Sequence, residues 1–207
     1  MEQGTEEWFA ARLGKVTASR VADVIAKTKT GISASRGNYL AEIVAERLTG
    51  TRAEGFTNAA MQWGTSNEPA ARDCYVFETG QDVTEIAFVD HPHIAMTGAS
   101  PDGLVGDKGL IEIKCPGTAK HIATLRGAPI DGKYITQMQW QMACTQREWC
   151  DFVSYDPRLP VEMQLHIRRV TRDDALIDEL ERDVLSFLID VDATVTDLTE
   201  TYLRKAA

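Results

Sequence analysis

Residues 100–116 read Ser100-Pro101-Asp102-Gly103-Leu104-Val105-Gly106-Asp107-Lys108-Gly109-Leu110-Ile111-Glu112-Ile113-Lys114-Cys115-Pro116. From Leu110 onward apolar and charged side chains alternate, and on a strand alternate residues share a face. Glu112 and Lys114 are thus expected on one side, with Ile111 and Ile113 on the other, facing a core. Asp102 lies in a Pro-Asp-Gly turn just ahead of the short strand Leu104–Val105. A hairpin through Gly106 to Gly109 returns the chain and sets the Asp102 carboxylate beside Glu112.

Two carboxylates held together on a half-buried sheet repel unless a proton, a lysine or a divalent cation compensates. Lys114 compensates in part. An Asp and Glu pair that leaves room for water and phosphate oxygens suits Mg2+, with Mn2+ as a substitute. Such an ion polarises a scissile phosphate and lowers the pKa of a bound water, while Lys114 orients or deprotonates that water. The expected reaction is phosphodiester hydrolysis. The competing reading is plainer: Asp102 closes an Asx turn, and Glu112 and Lys114 form a surface ion pair.

Outward from this stretch the pattern is α/β. Thr5 caps a short helix that stops at Gly14. Thr17 or Ser19 caps a second running to about Ile25, the segment Lys27 to Gly37 reads as a mobile loop, and a third helix spans Tyr39 to Leu48 before Gly50. Ser66 to Glu78 is helical, with Pro69 expected in its first turn or at a kink because proline lacks an N–H. Strand-like runs follow at Val83–Val89, Ile94–Thr97, Leu104–Val105 and Leu110–Cys115. Tyr134–Thr145 has helical spacing, Phe152–Tyr155 and Met163–Val170 return to strand character, and Asp173 to about Arg204 forms one amphipathic helix, with a possible break near Asp192.

With 207 residues and 43% hydrophobic content, one substantial core and a single domain over residues 1–207 are expected. Charge interrupts every apolar stretch, and the opening MEQGTEEW is neither basic nor hydrophobic, so no membrane span and a cytoplasmic location are expected. Cys74, Cys115, Cys144 and Cys150 form no metal-finger spacing and read as reduced thiols. The net charge of −9 sits in residues 173–200, where ten acids face Arg182 alone. That run reads as a solvated face. Residues 11–40 hold Arg12, Lys15, Arg20, Lys27, Lys29 and Arg36 against Asp23, an excess that suits a phosphate backbone.

Five ordered motifs widen the reading: Trp8-x-x-x-Arg12-Leu-Gly-x-Val-Thr-Ala-Ser19, Trp63-Gly-x-x-x-Glu68, Ser100-Pro-Asp-Gly, Glu112-Ile-Lys-Cys-Pro116 and Gln137-x-Gln139. Together they resemble the phage lambda exonuclease and YqaJ family of viral recombination nucleases, from about residue 5 to Tyr155-Asp-Pro157. The resemblance implies a PD-(D/E)XK, restriction-endonuclease-like fold, a central mixed sheet flanked by helices. It implies an alkaline exonuclease that needs two metal ions and degrades linear double-stranded DNA from 5'-phosphorylated ends, leaving 3' single strands. It also implies a homotrimeric ring, a single-strand annealing protein as partner, and a phage or prophage source.

Carried over by position, Asp102, Glu112 and the Ile113 carbonyl match the family's metal ligands, Glu68 matches a carboxylate for a second metal, and Lys114 matches the catalytic lysine. Arg12, Ser19, Ser100 and Gln137 match positions around the terminal 5'-phosphate, with Gln137 alternatively placing the nucleophilic water. Met61 matches an apolar wedge at the duplex end, although a methionine at helical spacing also serves as core filling. Two other functions share these motifs: a sequence- or structure-specific endonuclease with the same metal site, and a catalytically silent DNA-end binding module.

Overall fold

A computed structural model describes residues 2–29, 31–53 and 58–203. Helix α1 (Glu6–Arg12) opens at Thr5, whose hydroxyl accepts the Trp8 N–H. The chain then turns at Gly14, where φ is +66° and a Cβ would meet Arg47 Cγ at 2.8 Å, so only glycine fits. After strand β1 (Val16–Thr17) comes a short 3₁₀ turn, Ala18–Arg20, leading into α2 (Val21–Val24). Neither Thr17 nor Ser19 caps α2, contrary to the expectation, because the 3₁₀ turn separates them from it.

The segment expected as a mobile loop carries regular secondary structure in its described residues. Strands β2 (Lys27–Thr28) and β3 (Gly31–Ile32) form a small hairpin, and Ser33 then caps α3 (Ala34–Thr49) by accepting the Arg36 N–H. Helix α3 thus begins well before Tyr39 and ends at Gly50 in the left-handed conformation. Helix α4 (Ala59–Thr79) starts at Asn58, which caps it through the Met61 N–H. Pro69 consequently lies in the helix interior rather than its first turn. In the preceding turns Thr65 Oγ1 and Asn67 Nδ2 add donors to the Met61 and Trp63 carbonyls.

Strands β4 (Val83–Thr84), β5 (Val89–Asp90), β6 (Thr97–Ala99), β7 (Gly103–Val105) and β8 (Gly109–Lys114) follow. Helices α5 (Thr118–Leu125) and α6 (Gly132–Thr145), strands β9 (Trp149–Tyr155) and β10 (Leu165–Thr171), and helix α7 (Asp174–Leu198) complete the order. Helix α7 is unbroken at Asp192 and runs on as π-helix through Thr199–Leu203. The expected end at Arg204 lies outside the described residues.

The main sheet has the order β10-β9-β8-β7-β4, parallel only between β8 and β9. A second sheet, β1-β6-β5, stands beside it. One face of the main sheet packs Val105, Ile111, Ile113 and Val153 on Ala71 and Tyr75 of α4. The other packs Leu110, Cys150 and Phe152 on Met138 and Met142 of α6. Gly103 lets β7 approach its neighbours, since a Cβ there would lie 2.2 Å from Val83 Cγ1. Burial of these side chains supplies the stabilisation, about 1.5–3 kcal/mol for each large one.

Helix α7 docks Leu180, Val184, Phe187, Leu188 and Val191 into a further core with α2, α3 and Trp140 of α6. Around that apolar stripe its acids are not simply solvated. Asp183 pairs with Lys27, Asp190 with Arg36 and Asp192 with Arg47. Lys15 pairs with Asp90, and Arg20 with Asp23 and Glu42. The basic run expected to meet phosphates is therefore largely neutralised within the chain, while Arg12 makes no ion pair among the described residues.

Candidate active site

The β7–β8 hairpin does what the alternation predicts. Gly103 pairs with Ile111, and the Asp102 carboxylate accepts the Ile113 N–H at 2.6 Å. Glu112 is fully buried on the α6 side of β8, with one carboxylate oxygen bonded to Lys114 Nζ and the other to Gln141 Nε2 at 2.6 Å. Among the described residues Asp102 Oδ1 takes no hydrogen bond, and Gln141 Oε1 is buried without a partner.

The electrostatics follow from this crowding. Burial, with Glu112 as the next cause, pushes the Asp102 carboxyl well above the usual range. Burial would pull the Lys114 ammonium down, but Glu112 and Asp102 outweigh it and hold it above its ordinary value. Two carboxylates thus compete for one lysine, and the partly exposed Asp102 still presents an unused hard oxygen. That donor set fits a hydrated Mg2+ or Mn2+, which keeps several waters as ligands. Among the described residues no group of three His, Cys, Asp or Glu side chains is close enough to enclose a metal.

Glu68, on α4, lies near enough to feel the charges of Glu112, Lys114 and Asp102. Its carboxylate is paired with Arg72 at 3.0 Å, and Arg72 also holds Glu85 at 2.9 Å. Burial and the nearby Glu112 raise the Glu68 carboxyl above its ordinary value even so.

Arg12, at the end of α1, lies 4.0 Å over the Trp8 ring and donates to Ser100 Oγ at 2.8 Å. Trp8 Nε1 donates to the same oxygen at 2.9 Å. With both acceptor positions of Ser100 Oγ filled, its own O–H is left to donate outward. Burial lowers the Arg12 guanidinium to about 10. Arg12, Lys15, Ser19, Arg20, Arg52 and Met61 line one cleft of about 430 Å³. Met61 is 54% exposed, so it is not core filling. It also lines an adjoining groove that contains Glu68 and Arg72.

Arg12, Ser19 and Ser100 are therefore brought together, with Asp102 two residues beyond Ser100. Gln137 is not: it is half-buried on α6, makes no hydrogen bond among the described residues, and does not line the cleft. Two residues escaped the sequence reading. Gln141 stands one helical turn after Gln137, so the period of α6 pointed toward it. Arg52 sits 4.0 Å over Phe9 in the cleft, and no local pattern marked it.

A mixed sheet that carries Asp102 at the head of one strand and Glu112-x-Lys114 on the next defines a PD-(D/E)XK nuclease. Residues 7–148 match the model of the YqaJ-like viral recombinase domain, and the chain belongs to that family. It is similar to an alkaline exonuclease from Laribacter hongkongensis, LHK-Exo, with 59% identity, 98% of this chain and 100% of that one covered, and a TM-score of 0.91. A second structure of LHK-Exo is a complex with dAMP and matches equally well. A phage-related exonuclease from Haemophilus somnus 129PT shares the fold at 18% identity, with 89% and 96% of the two chains covered and a TM-score of 0.69. The search of curated proteins returns no match.

Proposed function

We propose that this chain is a Mg2+-dependent 5'-to-3' exonuclease on linear double-stranded DNA, releasing 5'-mononucleotides and leaving 3' single-stranded tails for recombination by strand annealing. The observation that carries the reading is the joining of Asp102, Glu112 and Lys114 in one corner, linked through Ser100 to a cleft in which Arg12 makes no direct ion pair among the described residues. Its relation to an alkaline exonuclease, and to a complex of that protein with a nucleoside monophosphate, supports the same direction.

Asp102, Glu112 and the Ile113 carbonyl would hold one metal ion, with Glu68 serving a second after exchanging Arg72 for it. The metal would supply Lewis acidity at the scissile phosphate and a more acidic bound water. The chain's own groups do the rest. Lys114 orients the attacking water and neutralises phosphate charge, with Gln137 as a further water-positioning donor. Arg12, Ser100 and Ser19 grip the terminal 5'-phosphate, which fixes where the cut falls one nucleotide in. Met61, exposed on the rim, wedges the terminal base pair apart. Three copies forming a ring would keep the duplex captured, a single-strand annealing protein would take the product, and the setting would be the cytoplasm of a bacterial host carrying a phage or prophage.

One substrate panel tests this. Linear duplex with a 5'-phosphate should be degraded with Mg2+, the same duplex with a 5'-hydroxyl should be degraded more slowly, and closed circular duplex should be untouched. Opening of the circle would make the chain an endonuclease, and end binding without Mg2+-dependent loss of nucleotides would make it a silent binding module.

A further inference from the structure

Beyond the catalytic corner the Tyr134 ring is surrounded by three ammonium groups. Lys114 Nζ of β8 lies 5.1 Å from its centroid, Lys120 Nζ of α5 lies 5.1 Å away, and Lys133 Nζ of α6 lies 5.0 Å away. The ring is fixed from behind by stacking on Phe152, with centroids 5.9 Å apart. Three separate elements thus deliver positive charge to one aromatic platform.

Among the described residues, Lys120 and Lys133 share with Lys29 the absence of a paired carboxylate. Lys15, Lys27, Lys108 and Lys114 each pair with a carboxylate. Lys120 and Lys133 are exposed and pair with none among the described residues. The acid nearest in sequence, Asp131, caps α6 and accepts the Lys133 backbone N–H at 3.1 Å. Lys120 and Lys133, held beside Lys114 without a carboxylate of their own, bear a cost in free energy that most other bases of this chain of net charge −9 avoid. The faces of Tyr134 are occupied by cations and by Phe152, which leaves little room for a base to stack. What fits is an anion that can run past all three ammoniums, and a phosphodiester backbone does so.

Position decides which phosphates. Contacts link Arg12 to Ser100, Ser100 adjoins Asp102, Asp102 meets β8 at Glu112 and Lys114, and Lys114 meets Tyr134. A strand with its terminal phosphate at Arg12 and its scissile phosphate at Asp102 and Glu112 continues next over Tyr134. Resting on the function proposed above, we propose that Lys120 and Lys133, arrayed round Tyr134, bind the phosphates on the 3' side of the scissile bond, so that the strand left after each cut stays held beside the catalytic lysine.

The test compares the parent with Lys120→Ala/Lys133→Ala and with Lys120→Arg/Lys133→Arg. Both lysines are exposed, so both variants should melt within a degree or two of the parent. Binding to single-stranded DNA without Mg2+ is followed as salt is raised. Loss of two phosphate contacts should reduce the slope of log affinity against log salt by about 1.4, and the arginine variant should keep the parent's slope. With Mg2+, the number of nucleotides removed per encounter should fall several-fold more than hydrolysis of a 5'-phosphorylated dinucleotide does. An alanine variant with the parent's salt slope and run length overturns the proposal, as does an equal loss on dinucleotide and duplex. A parent that degrades no DNA overturns the exonuclease reading instead, and the salt slopes still decide the lysines.

Discussion

Gln141 Nε2 donates to Glu112 Oε2 across 2.6 Å, and the amide's own oxygen is buried without a hydrogen bond among the described residues. Gln141 thereby fixes the carboxylate that shares its other oxygen with Lys114. Gln141→Leu should raise the Mg2+ concentration needed for half-maximal rate by about 10- to 100-fold, the usual loss when a partner of a metal ligand is removed. A Mg2+ titration of the rate, paired with calorimetric Mg2+ binding, checks this. An unchanged metal affinity with lowered stability alone would leave Gln141 a packing residue.

Lys114 is held against Glu112, with its Nζ also 5.1 Å from the centroid of the Tyr134 ring. Lys114→Ala should lower hydrolysis at least about 100-fold, in the range of a lost proton-handling group, while DNA binding persists. Gel-shift affinity measured beside the cleavage rate separates the two. Near-parental cleavage would remove Lys114 from the reaction.

Arg12 is the one base of the cleft that combines an aromatic shelf, Trp8, with a hydroxyl partner, Ser100. Arg12→Ala should abolish the rate preference for a 5'-phosphate over a 5'-hydroxyl end. A charged hydrogen bond is worth about 1.5–3 kcal/mol, so the preference at stake is about 10- to 150-fold. Competition between the two ends in one reaction reads it directly, and an identical ratio in mutant and parent would exclude Arg12 from the phosphate pocket.

Asp151 on β9 is buried, accepts the Tyr75 hydroxyl at 2.7 Å, and is held by Arg169 Nε at 2.8 Å. Arg169 is half-exposed, so the two partners differ in what their loss leaves behind. Arg169→Ala strands a buried carboxylate and should cost about 3–5 kcal/mol. Asp151→Ala leaves a cation that water can solvate and a single buried hydroxyl, and should cost about 1–3 kcal/mol. Urea unfolding of both variants gives the order, and the reverse order would refute the argument.

Asp156 is held down to about 2 by hydrogen bonds from Arg158. A depressed carboxylate stabilises the fold above its unfolded pKa and loses that contribution as pH falls through the folded value. The stability gap between the parent and Asp156→Asn should therefore be about 2 kcal/mol at pH 7 and close progressively between about pH 4 and about pH 2. Denaturation at pH 7 and pH 3 measures it, and a gap independent of pH would show that the carboxylate charge is not what counts.

The site residues that the sequence revealed were those governed by short-range periodicity. Glu112 and Lys114 obey the two-residue alternation of a strand, and Gly106 with Gly109 closes the hairpin that returns to Asp102. Contacts with distant chain leave no such local signal. Asp190 and Arg36 are 154 residues apart, so nothing local told that the basic run would be neutralised by α7. Pro69 suits a first turn, where its missing N–H is harmless, or a kink, yet it lies inside α4. The cap that starts α4 lies at Asn58, in a stretch whose composition gave no periodic signal. Gly31 and the hydroxyls around it suit a loop, and the pairing of Lys27–Thr28 with Gly31–Ile32 and the Ser33 cap suit the same composition. Arg52 owes its role to the fold bringing α1 beside the end of α3.

The anchoring of α7 has a practical bearing on ionic strength. Its ion pairs to Lys27, Arg36 and Arg47 lie at the rim, where Asp183, Asp190 and Asp192 remain well exposed to solvent and each contributes little. Its attachment comes from Leu180, Val184, Phe187 and Val191, which are indifferent to electrolyte. Raising the salt over the range that strips protein from nucleic acid should leave this helix seated, so that a fall in affinity counts lost phosphate contacts rather than a loosening enzyme.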